Sequence, residues 1–143
     1  MTSLENHIKL EMDARSENVS LARVISTAFI TPLDPTVGEI SDIKTAVSEA
    51  VTNAIIHGYG ENPGTVTISL ASNEREITIE ISDAGVGIEN IENARAPLFT
   101  TKPEMERSGL GFTVMESFMN EVIITSTPGI GTTITMKKTL GAN

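Results

Sequence analysis

Two stretches of strict alternation constrain this chain most. Val66, Ile68 and Leu70 alternate with small or polar residues, and after Asn73-Glu74 the alternation resumes at Ile77, Ile79 and Ile81. Successive side chains of a strand point to opposite faces, so each run buries one face, and the short polar break between them reads as a hairpin turn. A hairpin with one apolar face is not stable alone in water and needs further strands and a layer of helices over that face. The rest of the chain supplies both. His7 to Met12 alternates through Ile8, Leu10 and Met12, and two later runs, Val122 to Thr125 and Thr132 to Lys138, flank a turn at Pro128-Gly129. Helical spacing appears at Val19, Ala22, Ile25, Ala28 and Phe29, between a Ser16 cap and Pro32. A long helix follows from about Thr36 to His57, with Ile40, Ile43, Val47, Val51 and Ala54 as its core stripe. Pro35 suits its start, and Thr36 with Glu39 has capping-box spacing. A short helix over about Ile88 to Ala96 precedes an aperiodic stretch from Pro97, and helical spacing returns at Gly109 through Phe112, Met115, Phe118 and Met119. This order predicts an α+β two-layer sandwich, a mixed, largely antiparallel sheet with helices on one face.

Composition bounds what such a sandwich can do. At 143 residues, residues 1–143 read as one domain, large enough for a real core. Ten Lys plus Arg against nineteen Asp plus Glu leave a net charge of −9, which repels nucleic-acid phosphates and anionic lipid; no direct nucleic-acid partner and no membrane are expected. The absence of Cys excludes disulfides and thiolate chemistry, and His7 and His57 alone cannot build a zinc site. Without an apolar run of membrane length or an amino-terminal leader pattern, a cytoplasmic location is expected.

Four features could carry chemistry. Glu49, Asn53 and His57 fall at i, i+4 and i+8 and form one polar line on the long helix, which taken alone reads as a solvated flank. Asp83 shares strand parity with Ile77, Ile79 and Ile81, so its carboxylate points to their side, and Gly85 and Gly87 after it allow a tight turn and close approach of a ligand to backbone. Ser108-Gly109-Leu110-Gly111 opens a helix whose unpaired N–H groups suit an anion, with Lys102 and Arg107 beside it. Thr132 shares parity with Ile134 and Met136, and a hydroxyl on that buried face needs a partner, which Asp83 or a trapped water could supply.

The ordered combination, Glu49-x-x-x-Asn53 on a helix, Asp83-x-Gly85-x-Gly87 after a strand, a long lid, then Gly109-x-Gly111 opening a helix, resembles the GHKL ATPase and kinase superfamily with its Bergerat ATP-binding fold. The runs Ser48 to Tyr59, Pro97 to Glu104 and Arg107 to Phe112 further resemble the sporulation anti-sigma factors of spore-forming bacteria, over nearly the whole chain. That resemblance implies a protein that binds and inhibits a sigma factor, and that phosphorylates a serine on an anti-anti-sigma antagonist with ATP and Mg2+, forming a homodimer.

Carried residue by residue, it implies Glu49 as the general base and Asn53 as the magnesium ligand. Asp83 would accept a hydrogen bond from the adenine amine, whereas guanine presents a carbonyl oxygen there and is repelled, with Thr132 supporting that end. Gly85 and Gly87 would let the nucleotide approach. An ATP lid at about 97–108, with Thr100, Lys102, Arg107 and Ser108, would close over it, while Gly109 and Gly111 open amides to the phosphates. Arg23 on the first helix would contact the protein partners. His57, beside Gly58, reads as a residue favourably placed at a helix C-terminus and not as a catalytic one. A stress-response anti-sigma kinase of the same family, a nucleotide-gated sigma-binding module without transfer, and an ATPase that hydrolyses to water stand as alternatives.

Overall fold

The alternating runs lie side by side in one five-stranded sheet. The computed structural model describes residues 5–88, 91 and 111–141. Its strands are β1 (Asn6–Asp13), β2 (Thr65–Asn73), β3 (Glu76–Asp83), β4 (Glu121–Thr127) and β5 (Gly131–Thr139), in the spatial order β1-β2-β3-β5-β4. Every described pairing is antiparallel, so the mixed character allowed by the sequence is absent from this sheet. Register sets the inner face: Ile68 faces Ile81, Leu70 faces Ile79, and on the other side Ile79 faces Met136 and Ile81 faces Ile134. All six are essentially without solvent exposure, whereas Thr67, Ser69, Thr78, Glu80, Thr133 and Thr135 on the opposite parity are not buried. One face of the sheet is therefore core and the other polar.

Among the described residues, three α-helices cover the core face. The first, α1 (Asn18–Ile30), packs on α2 (Val37–Asn53), and α2 packs on α3 (Gly111–Phe118). Fully buried Ala22, Ala46 and Ala50 bring the helices close together. The Thr36 hydroxyl accepts the Glu39 N–H at 3.1 Å while the Glu39 carboxylate accepts the Thr36 N–H at 2.9 Å, the reciprocal box expected from the sequence. The expected Ser16 cap is not made. The residue before α1 is Glu17 in helical conformation, and the first amides bond to backbone instead, Asn18 N–H to Arg15 O at 2.9 Å and Val19 N–H to Ser16 O at 3.2 Å. A helix that grows out of a preceding turn has its first donors already satisfied, so no side chain needs to cap it.

The second correction matters for the site. The long helix does not run as an α-helix to His57: it ends at Asn53, and Ala54–Tyr59 wind on as a π-helical turn closed at Gly60 (φ 63°), whose N–H bonds to Ile55 O at 3.1 Å. The apolar stripe continues across the change, which hides it from periodicity. The short helix expected over Ile88 to Ala96 falls within the described residues only at Ile88 and Ile91, and the lid at about 97–108 lies outside them. Among the described residues no helix is long and apolar enough to cross a membrane.

Candidate nucleotide site

Asp83 ends β3 in register with Thr132 of β5 and Val66 of β2. Its Oδ1 accepts the Gly85 N–H at 2.9 Å. Burial pushes the carboxyl above the ordinary aspartate value, and backbone N–H groups of Gly85 and Thr132 oppose that rise. A carboxylate has room for about four hydrogen bonds, so accepting capacity remains after these.

The chain around it is built from close approaches that side chains would block. A β-carbon at Gly58 would meet Asp83 Oδ1 at 2.8 Å, one at Gly85 would meet the Gly58 carbonyl oxygen at 2.1 Å, and one at Gly131 would meet the Asp83 carbonyl oxygen at 2.1 Å. Gly87 combines φ 77° with a position 2.4 Å from Thr127 O for any added β-carbon, so both backbone and space demand glycine. The three amides after Asp83 are each assigned: Ala84 N–H donates to the Tyr59 hydroxyl at 2.7 Å, Gly85 N–H to Asp83, and Val86 N–H to Gly58 O at 2.9 Å. Two of those acceptors come from the π turn. From the other side, Gly129 N–H donates to Val86 O at 2.7 Å and Ile88 N–H to the Ser126 hydroxyl at 2.7 Å.

Thr132 is 4% exposed, as its parity predicted, but the described partner of its hydroxyl is the Ser126 hydroxyl at 2.8 Å, not Asp83. Ser126 also reaches Gly131 O at 3.0 Å. The β4–β5 turn thus holds the loop that follows Asp83.

Glu49 and Asn53 occupy the last turn of α2, both partly buried, and the π turn leads directly from Asn53 to the groups around Asp83. Gly111 opens α3, which lies against α2. The helix bearing Glu49 and Asn53 therefore runs into the turn that closes on Asp83 and also packs on α3. Arg23 of α1 donates to the Ser48 hydroxyl at 3.2 Å and to Ser20 at 3.1 Å, beside a cleft lined by Val37, Ile40, Lys44 and Thr45. Thr100, Lys102, Arg107, Ser108 and Gly109 lie outside the described residues. Among the described residues no group of three or more His, Asp or Glu could hold a metal by itself. A magnesium ion that takes one amide oxygen and draws its other ligands from phosphates and water needs no such group, and Asn53 fits that donor set.

A model of the histidine kinase-like ATPase domain matches residues 12–138, from the end of β1 to the end of β5. The chain belongs to that family. Within it the chain joins the anti-sigma F factors: it is 58% identical over 135 residues to the anti-sigma F factor of Clostridium acetobutylicum, covering 94% of each chain. It is 55% identical over 138 residues to that of Bacillus subtilis, covering 96% of this chain and 94% of the relative. Two solved structures share the fold. The RsbU and RsbW domains of Rv1364c from Mycobacterium tuberculosis superpose with TM-score 0.67 at 19% identity, over 94% of this chain and 32% of that one. The catalytic domain of histidine kinase ThkA gives 0.59 at 17%, over 93% of this chain and 96% of that one.

Of the residues at this corner, Asp83, Gly85, Gly87 and Thr132 are the candidates that the sequence offers. Gly58, Tyr59, Ser126 and Gly131 were not singled out from the sequence as part of it. His57-Gly58-Tyr59-Gly60 carries the signature of a turn, and only the fold shows that the turn closes on Asp83. A Ser-x-x-x-x-Gly-Thr stretch carries no signal that its hydroxyls stack.

Proposed function

We propose that this chain is an anti-sigma factor that binds and inhibits a sporulation sigma factor and, as an ATP-dependent serine kinase, phosphorylates and inactivates an anti-anti-sigma antagonist. The observation that carries the nucleotide part is the Asp83 corner: a partly buried carboxylate, fixed by glycine contacts and backbone donors, joined by one turn to a helix with Glu49 and Asn53. The protein partners rest on the relatives, which are named anti-sigma F factor and align over nearly their whole length.

In this reading Asp83 accepts the adenine amine, and Gly85 and Gly87, whose missing side chains make room for the backbone of Gly58 and Thr127 and not for the nucleotide, let the loop after Asp83 pack closely beneath the base. Glu49 accepts the proton of the incoming serine hydroxyl as that oxygen bonds to the terminal phosphorus and the bond to the ADP oxygen breaks. Asn53 offers an amide oxygen to magnesium, which when bound neutralises phosphate charge. Gly109, Gly111, Ser108, Arg107, Lys102 and Thr100 surround the phosphates from the lid and the start of α3. Thr132 supports the base end through its hydroxyl. Arg23, beside Ser48, meets the protein partners from α1. Residues 1–143 act as one kinase domain, pairing as a homodimer in the cytoplasm.

The test is incubation of the purified chain with labelled ATP, magnesium and a candidate antagonist, followed by location of the label and by sigma-factor capture. Label on an antagonist serine together with nucleotide-dependent sigma binding is the expected result. Partner affinity that responds to ATP and ADP without any phosphoprotein would instead establish a nucleotide-gated binding module, and phosphate release by the chain alone a hydrolase.

A further inference from the structure

Tyr59 stands out among residues that the kinase reading leaves without a role. It is the last residue of the π turn, and its hydroxyl uses both of its bonding directions: it donates to Thr65 O at 2.7 Å and accepts the Ala84 N–H at 2.7 Å. The ring lies against Gly64, where a β-carbon would come within 2.3 Å of it, so the phenol has one seat. That seat bridges the start of β2 to the residue after Asp83, two places the chain separates by about the length of the hairpin.

The peptide between Asp83 and Ala84 is consequently held at both ends. Its N–H is fixed by Tyr59, and its carbonyl oxygen abuts Gly131 so closely that no β-carbon fits there. Asp83 carries its carboxylate from this peptide plane, and Gly58, the residue before Tyr59, forms the surface under that carboxylate. A tilt of the plane swings the carboxylate, and hydrogen-bond strength falls steeply as its angle departs from linear.

We propose that Tyr59 is a positioning residue for base recognition, its hydroxyl fixing the Asp83–Ala84 peptide so that the carboxylate faces the exocyclic amine of adenine. This rests on Asp83 being the adenine acceptor. Tyr59 itself touches no nucleotide; it determines how sharply the site separates a base with an amine from one with a carbonyl at the same place. Phosphate contacts are common to both kinds of nucleotide, so a loosened corner weakens binding of the amine base and leaves the other nearly unchanged.

The experiment measures binding of ATP and of inosine triphosphate, each with magnesium, by calorimetry on the full chain, its Tyr59→Phe variant and its Asp83→Asn variant. Tyr59→Phe should lower the ratio of ATP to inosine triphosphate affinity by about tenfold, the worth of one well-made hydrogen bond, with inosine triphosphate affinity held within about twofold. An unchanged ratio overturns the proposal, whatever happens to the melting temperature, because general destabilisation weakens both nucleotides alike. A parent ratio near one, or an Asp83→Asn variant with the parent's ratio, removes the Asp83 reading and the proposal with it. A large parent ratio that is lost in Asp83→Asn but retained in Tyr59→Phe removes the proposal alone. Amide exchange on the parent supplies a check that needs no variant: the Ala84 N–H should be protected, and exchange at the rate of an open loop overturns the assignment.

Discussion

The carboxylate of Asp83 lies so near Gly58 that a β-carbon at position 58 would come within 2.8 Å of Oδ1. The contact is with a side chain, which can turn away, whereas the neighbouring contact of Gly85 is with the backbone of Gly58 at 2.1 Å, which cannot. Gly58→Ala should therefore fold, with ATP affinity reduced at least tenfold as the carboxylate is displaced. Gly85→Ala should lose stability as well, by about 1–3 kcal/mol, the usual cost of overpacking. Thermal melts paired with nucleotide titrations separate the two outcomes.

Burial raises the Asp83 carboxyl above its ordinary value, and that has a sign. A group that holds its proton more tightly when folded makes the folded state less stable as pH rises from the ordinary aspartate value through the raised one, and the whole penalty is present above it. Asp83→Asn removes the penalty. Relative to the parent, the variant's melting temperature should climb between acid and neutral pH, while its ATP affinity at neutral pH falls toward that for inosine triphosphate. A flat difference curve would contradict the buried-carboxylate account. In the parent, ATP affinity should fall as pH drops through the raised value and the acceptor is protonated.

Glu49→Gln keeps the shape of the side chain and removes the base. Phosphotransfer to the antagonist should fall by about 10²–10⁴-fold, the usual contribution of a positioned general base. Nucleotide binding and sigma-factor binding should remain near parent levels; loss of all three would assign Glu49 to the fold instead.

Glu39 has the opposite linkage to Asp83. The Gly141 N–H first, and then the Thr36 N–H, hold its carboxyl below the ordinary glutamate value. Its contribution is present above the ordinary value and disappears as pH falls through the lowered one. Glu39→Gln should therefore be less stable than the parent at neutral pH, with the gap closing in acid. Thr36→Ala, which removes the other half of the cap, should cost about 1 kcal/mol in urea melts at neutral pH.

What could be read from residue order differs between the layers of the structure. Strands were visible because Ile77, Ile79 and Ile81 obey a period that any buried face imposes, and the parity that placed Thr132 inward follows from the same rule. The Thr36–Glu39 cap was visible because both partners lie within four residues. The Ser16 cap failed because backbone carbonyls of Arg15 and Ser16 had already taken the amides, a choice made by turn geometry and not by side-chain type. Asp83 and its glycines were legible as a box. Their supports, Tyr59, Gly58, Ser126 and Gly131, were not, because each reaches the Asp83 loop from a part of the chain at least 25 residues away, and spacing carries no information about such contacts.

The π turn after Asn53 also has a consequence for counting. An α-helix turns once every ~3.6 residues, whereas a π turn bonds i to i+5 and so takes one more residue for the same revolution. Were it wound as ordinary α-helix instead, the Ala54–Tyr59 segment would turn further over the same six residues. Everything after it would then arrive about 100° out of phase, with Gly58 no longer under the carboxylate and the Tyr59 hydroxyl no longer at Ala84. The π winding is thus the phase setting between two rigid parts, and an inserted residue should be tolerated far better at the tip of the β2–β3 hairpin than in these six residues.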